Sequence, residues 1–142
     1  MTVTRQQDQL GRRKPLSVPG KYMSLTTYRR DGTPVSTPVW FVEEDGRLFV
    51  TTAADSYKAK RLRRNPAAMV VSCTARGVPK GDAIPVQVEF LPPEEHERVD
   101  RLMAEKYRLD RVLILPIYRL LMKLRGKPTD ERSGAYLAIT AT

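Results

Sequence analysis

Residues 21–42 read KYMSLTTYRRDGTPVSTPVWFV, and the punctuation of this stretch decides the fold class. Met23, Leu25 and Thr27 alternate with Tyr22, Ser24, Thr26 and Tyr28, the period-two pattern of a strand with one buried face. Arg30-Asp31-Gly32-Thr33 follows, a tight turn with Asp-Gly at its centre. The hairpin spacing predicts a second strand over Val35 to Val42. Glu44-Asp45-Gly46 marks the next turn, and Leu48 to Thr52 reads as the third strand. Strands joined by such short turns pair antiparallel, because a parallel crossover needs about a dozen residues or more.

Further along, Ser56 to Pro66 carries Lys58, Lys60, Arg61, Arg63 and Arg64 without an acid. It suits a short helix with Ser56 as N-cap, closed by Asn65-Pro66. A fourth strand is expected over Ala67 to Thr74, then a Gly/Pro loop over Ala75 to Asp82. In the fifth strand Ile84, Val86, Val88 and Phe90 alternate with Pro85, Gln87 and Glu89. Pro92-Pro93-Glu94-Glu95 opens a helix, with carboxylates where they meet the positive end of its dipole. A second helical stretch, Arg111 to Arg125, is interrupted by Pro116. The last strand, Gly134 to Thr142, puts Ala135, Leu137, Ile139 and Ala141 on one face. Six strands with late helices predict a mainly β (α+β) fold, a small closed or nearly closed antiparallel barrel.

A chain of 142 residues with 41% hydrophobic content fits one domain, and at ~150 residues roughly 70% of the unfolded surface is buried. Residues 1–20 read as an N-terminal arm or helix, and residues 21–142 as the barrel, with inserted helices at about 93–125. No apolar run reaches the ~18 residues of a membrane span, and the N-terminus lacks the apolar block of a signal peptide, which predicts a cytoplasmic protein. The single cysteine, Cys73, lies in an apolar run and reads as inert core. The 25 Lys and Arg against 16 Asp and Glu give a formal charge of +9, a field that attracts anions. Nucleic acid is disfavoured as the partner, because no aromatic residues interleave with the basic cluster to stack bases.

One histidine and one cysteine cannot supply the three or four ligands of a zinc site. His96, set among Glu94, Glu95 and Glu97, reads as a surface residue. Dinucleotide and P-loop glycine fingerprints are absent. What remains is the strand-to-helix junction at Thr51 to Arg64, where helix amides, the helix dipole and cationic side chains combine into a site for an anion, phosphate above all. The same spacing also fits a solvated basic helix face.

The stretches KYMSLTTYRRDGTPVSTPVWFV, RLFVTT (47–52), SYKAKRLRRNP (56–66) and CTARGVPKG (73–81) together resemble the split β-barrel flavin and deazaflavin oxidoreductases related to pyridoxamine-phosphate oxidase, and within them the coenzyme F420-dependent subgroup. The likeness covers about Lys21 to Tyr107. It implies a six-stranded split barrel of the FMN-binding type, a homodimer with the cofactor at its interface, and F420 as cofactor, with FMN the alternative. By the same resemblance Ser56, Lys58 and Lys60 bind phosphate with Arg61 alongside, Thr51 and Thr52 border the ribityl chain, and Thr37, Pro38, Val39 and Trp40 lie along the tricyclic ring. Arg76 is a further neighbour. Trp40 reads equally as a core or dimer contact. Tyr57 stands where the family carries a small residue and narrows the phosphate pocket. The surplus cations Arg61, Arg63, Arg64 and Arg76 suit the oligoglutamate tail of F420.

The activity so implied is hydride transfer from reduced F420 to an electrophilic organic acceptor such as a quinone or conjugated carbonyl. The cofactor carries the chemistry and no catalytic acid or base is required. The rival reading is a non-enzymatic binder of flavin, haem or fatty acid in the same dimer cleft. Residues 111–127, RVLILPIYRLLMKLRGK, mix apolar and cationic side chains and suggest peripheral contact with an anionic membrane, or packing against the barrel.

Overall fold

The structure is a computed structural model that describes residues 15–109 and 134–142. The helical stretch expected over 111–125 lies outside them. In chain order the elements are β1 (Tyr22–Tyr28), β2 (Pro34–Val39), β3 (Val42–Glu44), β4 (Arg47–Ala53), α1 (Tyr57–Arg64), β5 (Ala67–Cys73), β6 (Ile84–Phe90), a 3-10 turn (Pro93–Glu95), α2 (His96–Lys106) and β7 (Gly134–Ala141). The strands form one antiparallel sheet in the order β2-β1-β5-β6-β7-β4-β3.

Seven strands stand where the sequence predicted six, because the second divides at Trp40 and Phe41. Its first half pairs with β1, Thr37 facing Leu25, and its second half with β4, Val42 facing Phe49. The two ends of the sheet are thus consecutive in the chain, and the three peptide units from Val39 to Val42 reach about 11 Å at most. The sheet therefore curls until its edges meet at that corner. The break has a local cause. The Phe41 N–H donates to the Tyr107 hydroxyl at 2.9 Å, and the Phe41 carbonyl accepts from Lys106 Nζ at 2.8 Å, so α2 takes the backbone groups a continuous strand would offer to a neighbour.

The inward face of the curl carries the alternation read from the sequence. Met23, Leu25, Leu48, Val50, Val70, Val86, Val88, Leu137 and Ile139 form one cluster, joined by Leu62 of α1 and by Leu16 and Val18 of the segment before β1. Each buried aliphatic side chain contributes roughly 1.5–3 kcal/mol. α1 closes the end of the barrel at Tyr28 and Thr52. Residues 15–19 run across the other end, where the Leu16 N–H donates to Gly46 O and the Ser72 hydroxyl to Pro19 O, each at 2.8 Å. A second cluster lies outside the sheet, where α2 lays Val99, Met103 and the following Tyr107 over Val42, Phe49 and Ala138.

The β3–β4 turn shows how tightly that segment is fitted. Asp45 (φ 53°) and Gly46 (φ 76°) both occupy the left-handed region, as a two-residue Asp-Gly hairpin requires. A Cβ on Gly46 would stand 3.0 Å from Pro15 Cβ. Gly46→Ala is expected to cost about 1–3 kcal/mol through backbone strain and displacement of residues 15–18, read as a drop in the urea midpoint; an unchanged midpoint would show that the segment adds nothing to stability.

Candidate functional site

β4 ends at Ala53, whose carbonyl accepts from the Ser56 N–H at 3.1 Å, and that turn delivers Ser56 to the N-cap of α1. The Ser56 hydroxyl accepts from the Ala59 N–H at 3.1 Å and lies 3.2 Å from Thr52 Oγ1. The Lys60 N–H is taken by the Ser56 carbonyl. The amides of Tyr57 and Lys58 have no partner within the helix, and no acid occupies the first turn. An anion placed there meets two oriented donors and the positive end of the dipole.

Lys58 and Arg61, one turn apart on α1, add the charge. Lys58 is half-buried and has no carboxylate partner among the described residues; burial, with Arg61 beside it, pulls its ammonium below the ordinary lysine value of 10.5. Arg61 is held by its Nε, which donates to Thr27 Oγ1 at 2.7 Å, and Thr27 is 1% exposed on the inward face of β1. Thr27 was not a sequence candidate. Its signal was a hydroxyl at a core position of an otherwise apolar alternation.

β2 borders the same region. It pairs only with β1, and β4 beyond Phe49 pairs only with β7 among the described residues, so the ring of strands opens between Pro34–Val39 and the end of β4. Thr37 stands on β2 at one side of this gap, and Thr51, Thr52 and the Ser56 cap follow the end of β4 at the other. Thr37 Oγ1 is buried and has no hydrogen-bond partner among the described residues, a state that costs about 1–3 kcal/mol unless a ligand or water supplies one. The open edge of β2 is also rich in acceptors. Thr26 Oγ1 and Ser36 Oγ approach to 2.7 Å, which marks that pair as a close, non-hydrogen-bonded one, and Pro34 and Pro38 share its parity. The carbonyls of Pro34, Ser36 and Pro38 then face outward with Ser36 as their one amide donor. Such an edge resists strand addition and accepts N–H groups of a small ligand.

Other expected residues lie apart. Tyr57 does not narrow the corner: its ring is 78% exposed, with Lys60 Nζ 5.6 Å from its centroid. Val39 packs against the inner core. Trp40 stacks face to face on Tyr107, centroids 4.3 Å apart, so one face of the indole is committed to the α2 cluster. Pro38 touches the loop of Arg76, since a Cβ on Gly77 would meet Pro38 Cδ at 3.6 Å. Arg76 thus sits at the opposite end of β2 from Arg61, and Arg63 stacks over Phe90. Of the cations expected to suit an oligoglutamate tail, Arg61, Arg63 and Arg64 lie on α1 and Arg76 on the β5–β6 loop at the opposite end of the barrel. His96, expected on the surface, is half-buried, stacked on Tyr136 at 3.8 Å, with Nε2 3.1 Å from Leu91 O. Burial and the Asp100 carboxylate push the Tyr136 phenol up to about 12. Burial pushes the Cys73 thiol up as well, against the lowering pull of Lys80.

The family model for pyridoxamine 5′-phosphate oxidase matches residues 20–110, most of the strands and helices just described. The chain belongs to the pyridoxamine 5′-phosphate oxidase family. Solved structures share the fold at low identity. A conserved hypothetical protein of Mycobacterium tuberculosis is 22% identical, with 99% of this chain and 81% of that one covered and a TM-score of 0.57. An F420-H2 dependent reductase is 19% identical over 87% of this chain and 98% of that one, TM-score 0.53. A haem storage protein of Vibrio cholerae is 12% identical over 98% and 89%, TM-score 0.57. A search of curated proteins gives no match. Among the described residues, no helix of this pyridoxamine 5′-phosphate oxidase family member is long and apolar enough to cross a membrane.

Proposed function

We propose that the opening holds a phosphate-bearing flavin-type cofactor, coenzyme F420 before FMN, and that the protein passes hydride from reduced F420 to an electrophilic organic acceptor such as a quinone or conjugated carbonyl. The observation that carries this reading is Lys58, a half-buried ammonium beside two helix amides and without a carboxylate partner among the described residues. A desolvated, unpaired cation is costly, and a bound anion offsets that cost. Thr37 supports the same placement, since its orphaned hydroxyl gains a partner when the opening is filled. The likeness in fold to an F420-H2 dependent reductase favours the deazaflavin.

The chain's own groups then divide the work. Lys58, Arg61 and the amides of Tyr57 and Lys58 hold the phosphate, with the Ser56 and Thr52 hydroxyls beside them; Lys60, which the sequence reading also assigned to the phosphate, is exposed beside the Tyr57 ring. Carbonyls along the β2 edge accept from the polar rim of the ring. When bound, the reduced deazaflavin supplies the hydride, and the acceptor completes its reduction with a proton from water. A second copy of the chain would cover the outward face of β1 and β5, where Met69 and Val71 are half-buried, and so complete a homodimeric site.

A non-enzymatic binder in the same cleft is the second reading, favoured by the fold likeness to a haem storage protein. Ligation of haem by histidine is opposed by His96, the single histidine of the chain, because its ring is stacked and its Nε2 engaged. A binder would quench the fluorescence of reduced F420 without oxidising it when quinones are added.

The decisive experiment is titration of the protein with F420 and with FMN, followed by fluorescence. Lys58→Ala is expected to weaken the preferred cofactor roughly 10- to 100-fold, the worth of a hydrogen bond to a charged group. Unchanged affinity sinks the phosphate assignment. Because burial and Arg61 pull the Lys58 ammonium below the ordinary 10.5, affinity should fall as pH rises and the ammonium loses its proton, earlier than for an exposed lysine. That fall should disappear in Lys58→Ala.

A further inference from the structure

Helix α1 buries Ala59 and Leu62 and turns its opposite side to solvent. At about 100° per residue, Tyr57, Lys60 and Arg64 fall in one stripe on that opposite side, and all three are exposed. The stripe continues into the β1–β2 turn. Arg64 Nη2 donates to Tyr28 O at 3.5 Å, which sets the last turn of α1 beside the exposed Arg29 and Arg30. None of Arg29, Arg30, Lys60 and Arg64 forms an ion pair within the described residues. Asp31, the nearest acid of the turn, has an oxygen occupied by the Thr33 N–H at 2.9 Å. One end of the barrel therefore presents four cations that form no salt bridge among the described residues, Arg29 being near enough to Asp31 to act on its carboxylate, and a tyrosine that is 78% exposed.

We infer that this end docks on an anionic lipid surface. A helix cationic along its exposed side, with a tyrosine at its first position, matches what a headgroup layer rewards: basic side chains reach the anionic groups, and the amphipathic ring settles at their level. Single-stranded nucleic acid calls for several stacking rings along a groove, and among the described residues this end has one exposed ring, Tyr57. Docking does not depend on the cofactor.

Sedimentation of the full chain with phosphatidylcholine vesicles, with and without phosphatidylglycerol, tests this. The protein should bind only the anionic vesicles and release them at high salt. The triple variant Arg29→Gln/Arg30→Gln/Arg64→Gln should lose roughly a hundredfold in affinity, from about a fivefold loss per cation removed. The pair Arg29→Gln/Arg30→Gln, confined to an exposed turn, should lose roughly 25-fold without touching α1. Arg119→Gln/Lys123→Gln/Arg125→Gln should bind as the native chain does. The inference is overturned if the native chain ignores anionic vesicles, if the turn variant binds them as tightly as the native chain, if binding is lost only with the 119–125 changes, or if the native chain prefers oligonucleotides to vesicles at equal salt. F420 and FMN titrations of the turn variant keep this separate from the cofactor reading, since they should be unchanged whether or not vesicles bind.

Discussion

Replacing Tyr107 by alanine is expected to destabilise the protein by about 4 kcal/mol or more, the largest loss from any single change considered. Tyr107 is fully buried, stacks on Trp40 and packs against Val42, Phe49, Val99 and Met103. Removing a buried aromatic costs about 3–5 kcal/mol, and the Phe41 N–H then loses its acceptor for about 1–3 more. Against a total of about 5–15 kcal/mol for a domain, the variant should populate unfolded chain near body temperature. Tyr107→Phe separates the two contributions. It keeps ring and stack and loses only the hydroxyl, so it should cost about 1–3 kcal/mol. Urea unfolding of both variants measures this. Equal losses would show that the hydroxyl alone matters, and losses below about 1 kcal/mol in both would show that α2 does not hold the corner at Trp40 and Phe41.

Leu62→Ala should lower stability by about 2–5 kcal/mol and cofactor affinity with it. Leu62 is 2% exposed and, with Ala59, is what α1 buries, so this contact sets where the helix start points its amides and Lys58. A cavity there loosens α1 against β1 and β4 and misplaces the Arg61–Thr27 bond at the same time. The contrast with Lys58→Ala is the informative part. That variant removes a desolvated charge next to another cation, so affinity should fall while the urea midpoint stays or rises. If Leu62→Ala weakens stability and leaves F420 and FMN affinities untouched, the cofactor does not sit at the start of α1.

The barrel was legible because its signals are local. Alternation in Met23 to Thr27, in Ile84 to Phe90 and in Ala135 to Ala141 names the inward face of each strand, and the Asp-Gly turns name the hairpins. Ser56 was readable as an N-cap for the same reason: the hydroxyl acts on an amide three residues away. The division of the second strand was not readable, because its cause is a pair of residues, Lys106 and Tyr107, more than sixty positions downstream. Nor could local pattern place Arg76 and Arg61 at opposite ends of β2.

The sequence by itself determined the antiparallel class, the strand faces, the capped basic helix and the cluster of cations that calls for an anion. Only the tertiary structure decided which of those cations are desolvated and unpaired, that Thr27 holds Arg61, that Thr37 is left without a partner, and that Tyr57 points to solvent. The physical reason is one of range. Periodicity, turns and caps are fixed by neighbours within about four residues, whereas burial and charge pairing depend on what distant segments bring alongside.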